Sequence, residues 1–178
     1  MKIFRRLSIL SLAFCVIFTL SACSQNTASN LSSEDQQLAD SIINRLVDIN
    51  KNPRSSHHEE KISKWLVNWA KANGFKPTQD SFLNVIFDVQ ATDGYEDAPL
   101  TMLQAHMDMV AVSDDANFDA QNTPIEVVVN KKDNQITAKG TSLGADDGIG
   151  MAIIMEYVTS KNTHGPLRVL FTSNEEDA

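Results

Sequence analysis

Residues 140–150 read GTSLGADDGIG, and the fold turns on how that run is taken. Its glycines suit a chain that must turn with positive φ or pass close to another group. The run leads into the apolar stretch Ile149 to Val158, which is read as a helix. Two adjacent carboxylates, Asp146 and Asp147, stand on the turn where that helix begins. A carboxylate there can cap the helix, since aspartate is favoured at N-caps. It can also face a cation from a fixed position. Which of the two holds depends on what the rest of the chain brings beside the turn.

Working outward, short apolar runs of strand length lie on both sides. Asn84 to Val89 (NVIFDV) and Leu100 to Ala105 (LTMLQA) precede the turn, and Leu167 to Thr172 (LRVLFT) follows the Gly165-Pro166 break. Ile125 to Val129 and Gln135 to Ala138 flank Lys132-Asp133-Asn134, a hairpin signal. Upstream, Ser33-Glu34-Asp35-Gln36 and Ser56-His57-His58-Glu59 read as capping boxes, each opening a helix. The first helix carries Leu38, Ile42, Leu46 and Ile49 on one face and ends before Asn52-Pro53. The second carries Ile62, Trp65, Leu66, Trp69 and Ala70 and stops at Gly74. Strands alternating with helices imply an α/β layered domain with a mixed, largely parallel sheet. The last strand, Leu167 to Thr172, is expected to lie at an unpaired edge.

Three of these runs end in acidic or imidazole side chains. LTMLQA runs into His106-Met107-Asp108, the glycine turn presents Asp146, and LRVLFT is followed by Glu175-Glu176. In a strand-end segment, residues i and i+2 project to the same side. The Asp108 carboxylate is therefore expected to accept a hydrogen bond from one nitrogen of His106 and leave the other for a metal. Consecutive glutamates can divide labour, one binding metal and the other handling protons. In open α/β sheets, sites gather beyond the carboxyl ends of the strands. The paired His57 and His58 fall in an expected first helical turn, and His164 falls in a loop, so none of the three is expected to be a ligand.

The amino terminus carries a different signal. Lys2, Arg5 and Arg6 precede the apolar run Leu7 to Leu20, which is too short for a comfortable membrane span and reads as an export signal. Leu20-Ser21-Ala22-Cys23 resembles the bacterial lipoprotein signal, in which the cysteine is lipidated and becomes the new N-terminus. The expected organisation is a signal peptide over 1–22, a polar tether over 23–33 and a domain over 34–178. The expected location is the bacterial cell envelope, facing outward, with Cys23 carrying the lipid as the sole link to a membrane. With Cys15 removed and Cys23 lipidated, no thiolate is left for a disulfide or a metal. Any metal would then be held by oxygen and imidazole. Loss of residues 1–22 leaves 12 basic against 23 acidic side chains, a net charge of −11, which argues against nucleic acid as a partner.

QAHMDMV, KGTSLGADDGIGMA and LFTSNEE, in that order and spacing, resemble the metal-binding motifs of the dinuclear zinc peptidases of the carboxypeptidase G and aminoacylase type. NPRSSHHEEKISKWL resembles the N-terminal segment of their aminoacyl-histidine dipeptidase (Xaa-His dipeptidase) branch. The resemblance implies a three-layer catalytic domain, and a metal-activated water that cleaves the peptide bond of small Xaa-His-like dipeptides. It implies two divalent ions, zinc first, with manganese and cobalt as alternatives. His106 would bind one metal with Asp108 orienting it, Asp146 would bridge both and be followed by a cis peptide, Glu176 would bind the second, and Glu175 would be the general base. Asp147 and Asn174 depart from the asparagine and the acid expected at those places. The resemblance also implies an acidic ligand, a histidine ligand and a lid or dimerisation domain further along. The chain is therefore expected to be the N-terminal part of a longer, homodimeric enzyme and to be inactive alone. The competing readings are an aminoacylase or tripeptidase of the same family, and a non-catalytic truncated lipoprotein.

Overall fold

The computed structural model describes residues 31–176. The expected signal peptide, Cys23 and most of the tether lie outside the described residues. Helix α1 spans Ser33–Asn50, α2 Glu60–Ala72 and α3 Ala145–Thr159; the strands are β1 Thr78–Gln79, β2 Val85–Val89, β3 Thr101–His106, β4 Val127–Asn130, β5 Gln135–Ala138 and β6 Leu167–Thr172. Among the described residues, no helix is long and apolar enough to cross a membrane.

Both capping boxes sit elsewhere than the sequence suggests. α1 is capped by Ser32, whose hydroxyl accepts the amide of Asp35, so the ordered helix begins within the stretch expected to be tether. Ser56 caps nothing: its hydroxyl donates to the Asp108 carboxylate at 2.9 Å, and α2 starts only at Glu60 without a side-chain cap. The competing partner is a buried carboxylate, which draws a hydroxyl more strongly than the amides of a helix end do. At the other end of α2, Gly74 takes a φ of +84° and stops the helix as expected.

The main sheet has the order β1-β2-β6-β3. β6 pairs antiparallel with β2 and parallel with β3, and β1 pairs antiparallel with β2. The sheet is thus mixed, with parallel pairing confined to one of its three pairs among the described residues. β6 lies inside the sheet, not at the edge expected for it. β2 takes the side of β6 away from β3, and Leu167, Val169 and Phe171 are buried on one face between them. β4 and β5 form the expected hairpin as a separate two-stranded ribbon.

One core joins the helices to the sheet. Leu46 and Ile49 of α1, Ile62, Leu66 and Ala70 of α2, and Met151, Ala152 and Met155 of α3 pack with Val85, Phe87, Ala105, Val169 and Phe171. Each large apolar side chain sealed there contributes about 1.5–3 kcal/mol relative to exposure. The opposite sheet face, with Asp88, Met102 and Gln104 exposed, carries no helix among the described residues, so the third expected layer is not among them. Parallel pairing brings His106 into register with Thr172, which sets the carboxyl ends of β3 and β6 side by side. The glycine turn enters from α3, which packs on α1 and on β3.

Candidate functional site

His106 is the last residue of β3, and its side chain is 9% exposed. Its Nδ1 lies 3.1 Å from the carbonyl oxygen of Asp108 and 3.5 Å from that residue's Oδ1. The hydrogen bond that orients the ring therefore goes to the Asp108 backbone, not to the carboxylate as expected. The carboxylate is otherwise engaged. It accepts the amide of Glu175 at 3.1 Å, the amide of Glu176 at 3.1 Å and the hydroxyl of Ser56. Asp108 thus holds His106 with its carbonyl and the glutamate turn with its side chain. Burial pushes its pKa up, but these three donors outweigh burial and leave it below its ordinary value.

With Nδ1–H donated to a carbonyl, a neutral imidazole turns its Nε2 lone pair outward. That nitrogen lies 2.9 Å from Asp146 Oδ1 and 3.8 Å from Glu175 Oε2. A lone pair and carboxylates face one another stably only with a proton or a cation between them. Burial lowers the His106 pKa, but Asp146, Asp108 and Glu175 more than offset it, and the net shift is upward.

The two aspartates of the glycine turn part company. Gly144 takes a left-handed φ of +66°, the Asp146–Asp147 peptide is cis, and both aspartates leave the helical region. Asp147 Oδ1 accepts the amide of Gly150 at 3.0 Å and so caps the regular part of α3. Asp146 instead projects to His106, with a side chain 84% exposed. Capping and cation-facing, alternatives for a single residue, are divided between neighbours.

The glutamates ride on a turn fixed from below. Ser173 donates its amide to Asn84 Oδ1, and Asn174, at a φ of +61°, donates its amide to Glu59 Oε1 at 3.1 Å. Asn174 Oδ1 in turn accepts the amide of His57. Asparagine tolerates the left-handed region better than most side chains, which suits the residue found there. One ligand atom each from His106, Glu175 and Glu176 lie within 4.8 Å of one another, the one such group of three or more among the described residues. His58 and His164 have partners elsewhere: His58 Nε2 contacts Gln121, and His164 Nδ1 contacts the carbonyl of Gly165. An imidazole with carboxylates is a donor set suited to a zinc-type divalent ion.

Sequence reasoning missed Arg54 and Glu59, both buried beneath the site. Arg54 donates to the carbonyls of Met107, Asp108 and Gly144 and to Asn50 Oδ1. Carbonyl partners leave no mark in a pattern of side-chain types. The available signal was an arginine inside an otherwise unremarkable turn, NPRSS.

A mixed α/β domain with imidazole and carboxylates gathered beyond its strand ends has the architecture of a peptidase catalytic domain, and comparison with solved structures agrees. It superimposes on the aminoacylhistidine dipeptidase from Vibrio alginolyticus with a TM-score of 0.70 and 38% identity, over 75% of this chain and 27% of that one. A tripeptidase from Staphylococcus aureus shares the fold, with a TM-score of 0.63 and 22% identity over 78% of this chain and 37% of that one. In sequence, the chain is 40% identical over 126 residues to the cytosol non-specific dipeptidase of Escherichia coli (strain K12), covering 70% of this chain and 26% of that protein. No protein-family model matches the chain. The chain is thus similar to dipeptidases, and it spans about a quarter of the length of those two.

Proposed function

We propose that the described residues form part of the active site of a metal-dependent dipeptidase that cleaves small Xaa-His-like peptides. The observation that carries the reading is the convergence of His106 Nε2 with Asp146 and the Glu175–Glu176 pair over a buried floor. His106, Asp146 and Glu176 would hold divalent ions, zinc first. Ions held there supply polarisation of the scissile carbonyl and a more acidic water. Glu175, 59% exposed and 3.8 Å from the imidazole, takes the water's proton and delivers it to the leaving amine, base first and then acid. Asp108 keeps both glutamates in place by holding their amides. With three proposed ligand side chains, the chain alone is expected to bind metal weakly and turn over little.

The test is a zinc titration of the chain with four variants. His106→Ala, Asp146→Asn and Glu176→Gln should lose binding, and Glu175→Gln should retain it. If Glu175→Gln loses the metal with the others, Glu175 belongs among the ligands and the proton shuttle must be reassigned. Hydrolysis of Xaa-His dipeptides and of acyl-amino acids in added zinc separates a dipeptidase from an aminoacylase. We further propose lipid attachment at Cys23, outward from a bacterial membrane, on the strength of the Leu20-Ser21-Ala22-Cys23 signal. Labelled fatty acid should enter the wild-type chain and not Cys23→Ser.

A further inference from the structure

We propose that Arg54 is the positioning residue that sets the separation between His106 and Asp146, and that Gly144 and Gly148 are glycines because its guanidinium fills the space their side chains would need. The proposal rests on the metal-site reading above. Arg54 is 1% exposed and leaves the loop between α1 and α2 to lie beneath the site. Nη1 donates to the carbonyls of Met107 at 3.0 Å and Asp108 at 3.1 Å, the two residues that follow His106. Nη2 donates to the carbonyl of Gly144, two residues before Asp146, and to Asn50 Oδ1 at 3.3 Å. A single rigid, planar group therefore bridges the backbone behind the imidazole and the backbone behind the carboxylate.

The choice of partners separates this role from an ordinary ion pair. Among the described residues Arg54 takes carbonyls and an amide, no carboxylate within bonding distance, and its Nε–H has no acceptor. Burying a guanidinium against neutral partners is costly: desolvation lowers its pKa to about 10, although Asp108, Asp147 and Glu176 pull the other way. It remains charged at neutral pH and offsets repulsion among the carboxylates above it. Asn50 completes the clasp, since its Nδ2 donates to the carbonyl of Leu143 at 2.9 Å.

The glycines record the same arrangement. A Cβ at Gly144 would lie 2.5 Å from Arg54 Nη2 and 2.5 Å from Met109 Sδ. One at Gly148 would lie 2.7 Å from Nη2 and 2.9 Å from Leu46 Cδ1. Two glycines of the run that opens α3 thus make room for one side chain from ninety residues earlier.

The experiment is a cobalt(II) titration of the full chain, followed by visible absorption, for wild type, His106→Ala, Arg54→Lys and Arg54→Met. The lysine keeps the charge but replaces the fork with a single ammonium that cannot reach both backbones. Support is a wild type that binds cobalt, a His106→Ala that does not, and an Arg54→Lys that folds with about 10–100-fold weaker binding and a changed absorption band, as for loss of a group that orients ligands. Arg54→Met should bind no better than Arg54→Lys. An Arg54→Lys that titrates and absorbs like wild type overturns the proposal and leaves the metal-site reading standing. An Arg54→Lys that no longer folds cooperatively also overturns it, because the residue then serves the whole fold. If wild type takes no cobalt, or His106→Ala takes as much, the metal-site reading falls and this inference falls with it.

Discussion

Asp108 and Asp146 are both carboxylates against His106, yet their circumstances are opposite. The Asp108 side chain is fully buried and its oxygens are occupied by two amides and a hydroxyl. The Asp146 side chain is 84% exposed and touches the imidazole alone among the hydrogen bonds described. The same division runs through the whole region. Below lies a floor of Arg54, Glu59 and Asp108, each hydrogen-bonded to backbone; above lies a rim of Asp146, Glu175 and Glu176, with acceptor capacity in reserve. A buried charge is tolerable only when satisfied, and a ligand is useful only when it is not. The difference predicts that Asp108 and Glu59 govern stability and that the rim residues bind, and mutation can break that rule in either direction.

The largest expected effect is at Asp108. Asp108→Ala deprives three donors of their acceptor and removes the charge nearest Arg54, which should cost about 3 kcal/mol. Urea unfolding followed by circular dichroism measures it. A loss under about 1 kcal/mol would mean that the glutamate turn stands without its support, and the floor would lose its meaning. Glu59→Ala comes next. It takes the acceptor from the amide of Asn174 and one of two from the amide of His57, and should cost about 2 kcal/mol. Hydrogen exchange should rise at residues 173–176 and not in β2 or β6.

The rim could be read in the sequence and the floor could not, for a physical reason. His106, Asp146 and the glutamate pair announce themselves because each sits where an apolar run stops, and their chemistry resides in the side chain. The floor works by hydrogen bonds to main chain, and every residue has a main chain. Ser56 illustrates the difficulty: its sequence neighbours spell a capping box, while its actual partner, Asp108, lies 52 residues away. The elements themselves were legible from periodicity, within a few residues at each end. Strand order was not, since LRVLFT alternates in the same way at an edge or in the middle. The two-residue β1 was too short to leave any period.

A pH series sharpens the contrast without removing a side chain. Asp108 has its folded pKa below the unfolded value of about 3.9. Its stabilisation is therefore complete above the unfolded pKa and lost as the pH falls through the lower, folded one. Asp108→Asn lacks this contribution at every pH. The gap between wild type and Asp108→Asn in urea midpoint should stay constant down to about pH 5 and close below about pH 4. A gap that persists in acid would assign the stabilisation to the shape of the side chain, not its charge.

The smallest effects on stability should come from the rim, and there the comparison faces its hardest test. Asp146→Asn and Glu176→Gln leave the oxygen-bearing shape in place, and neither side chain holds a buried donor. Each should change the unfolding free energy by no more than about 0.5 kcal/mol, as for substitutions away from packed or paired groups. Zinc binding to the same proteins should fall sharply. A rim variant that loses as much stability as Glu59→Ala would show that the exposed carboxylates also support the fold. One that keeps both stability and metal would remove that carboxylate from the proposed ligands. Either result is read from one urea titration and one metal titration on the same sample.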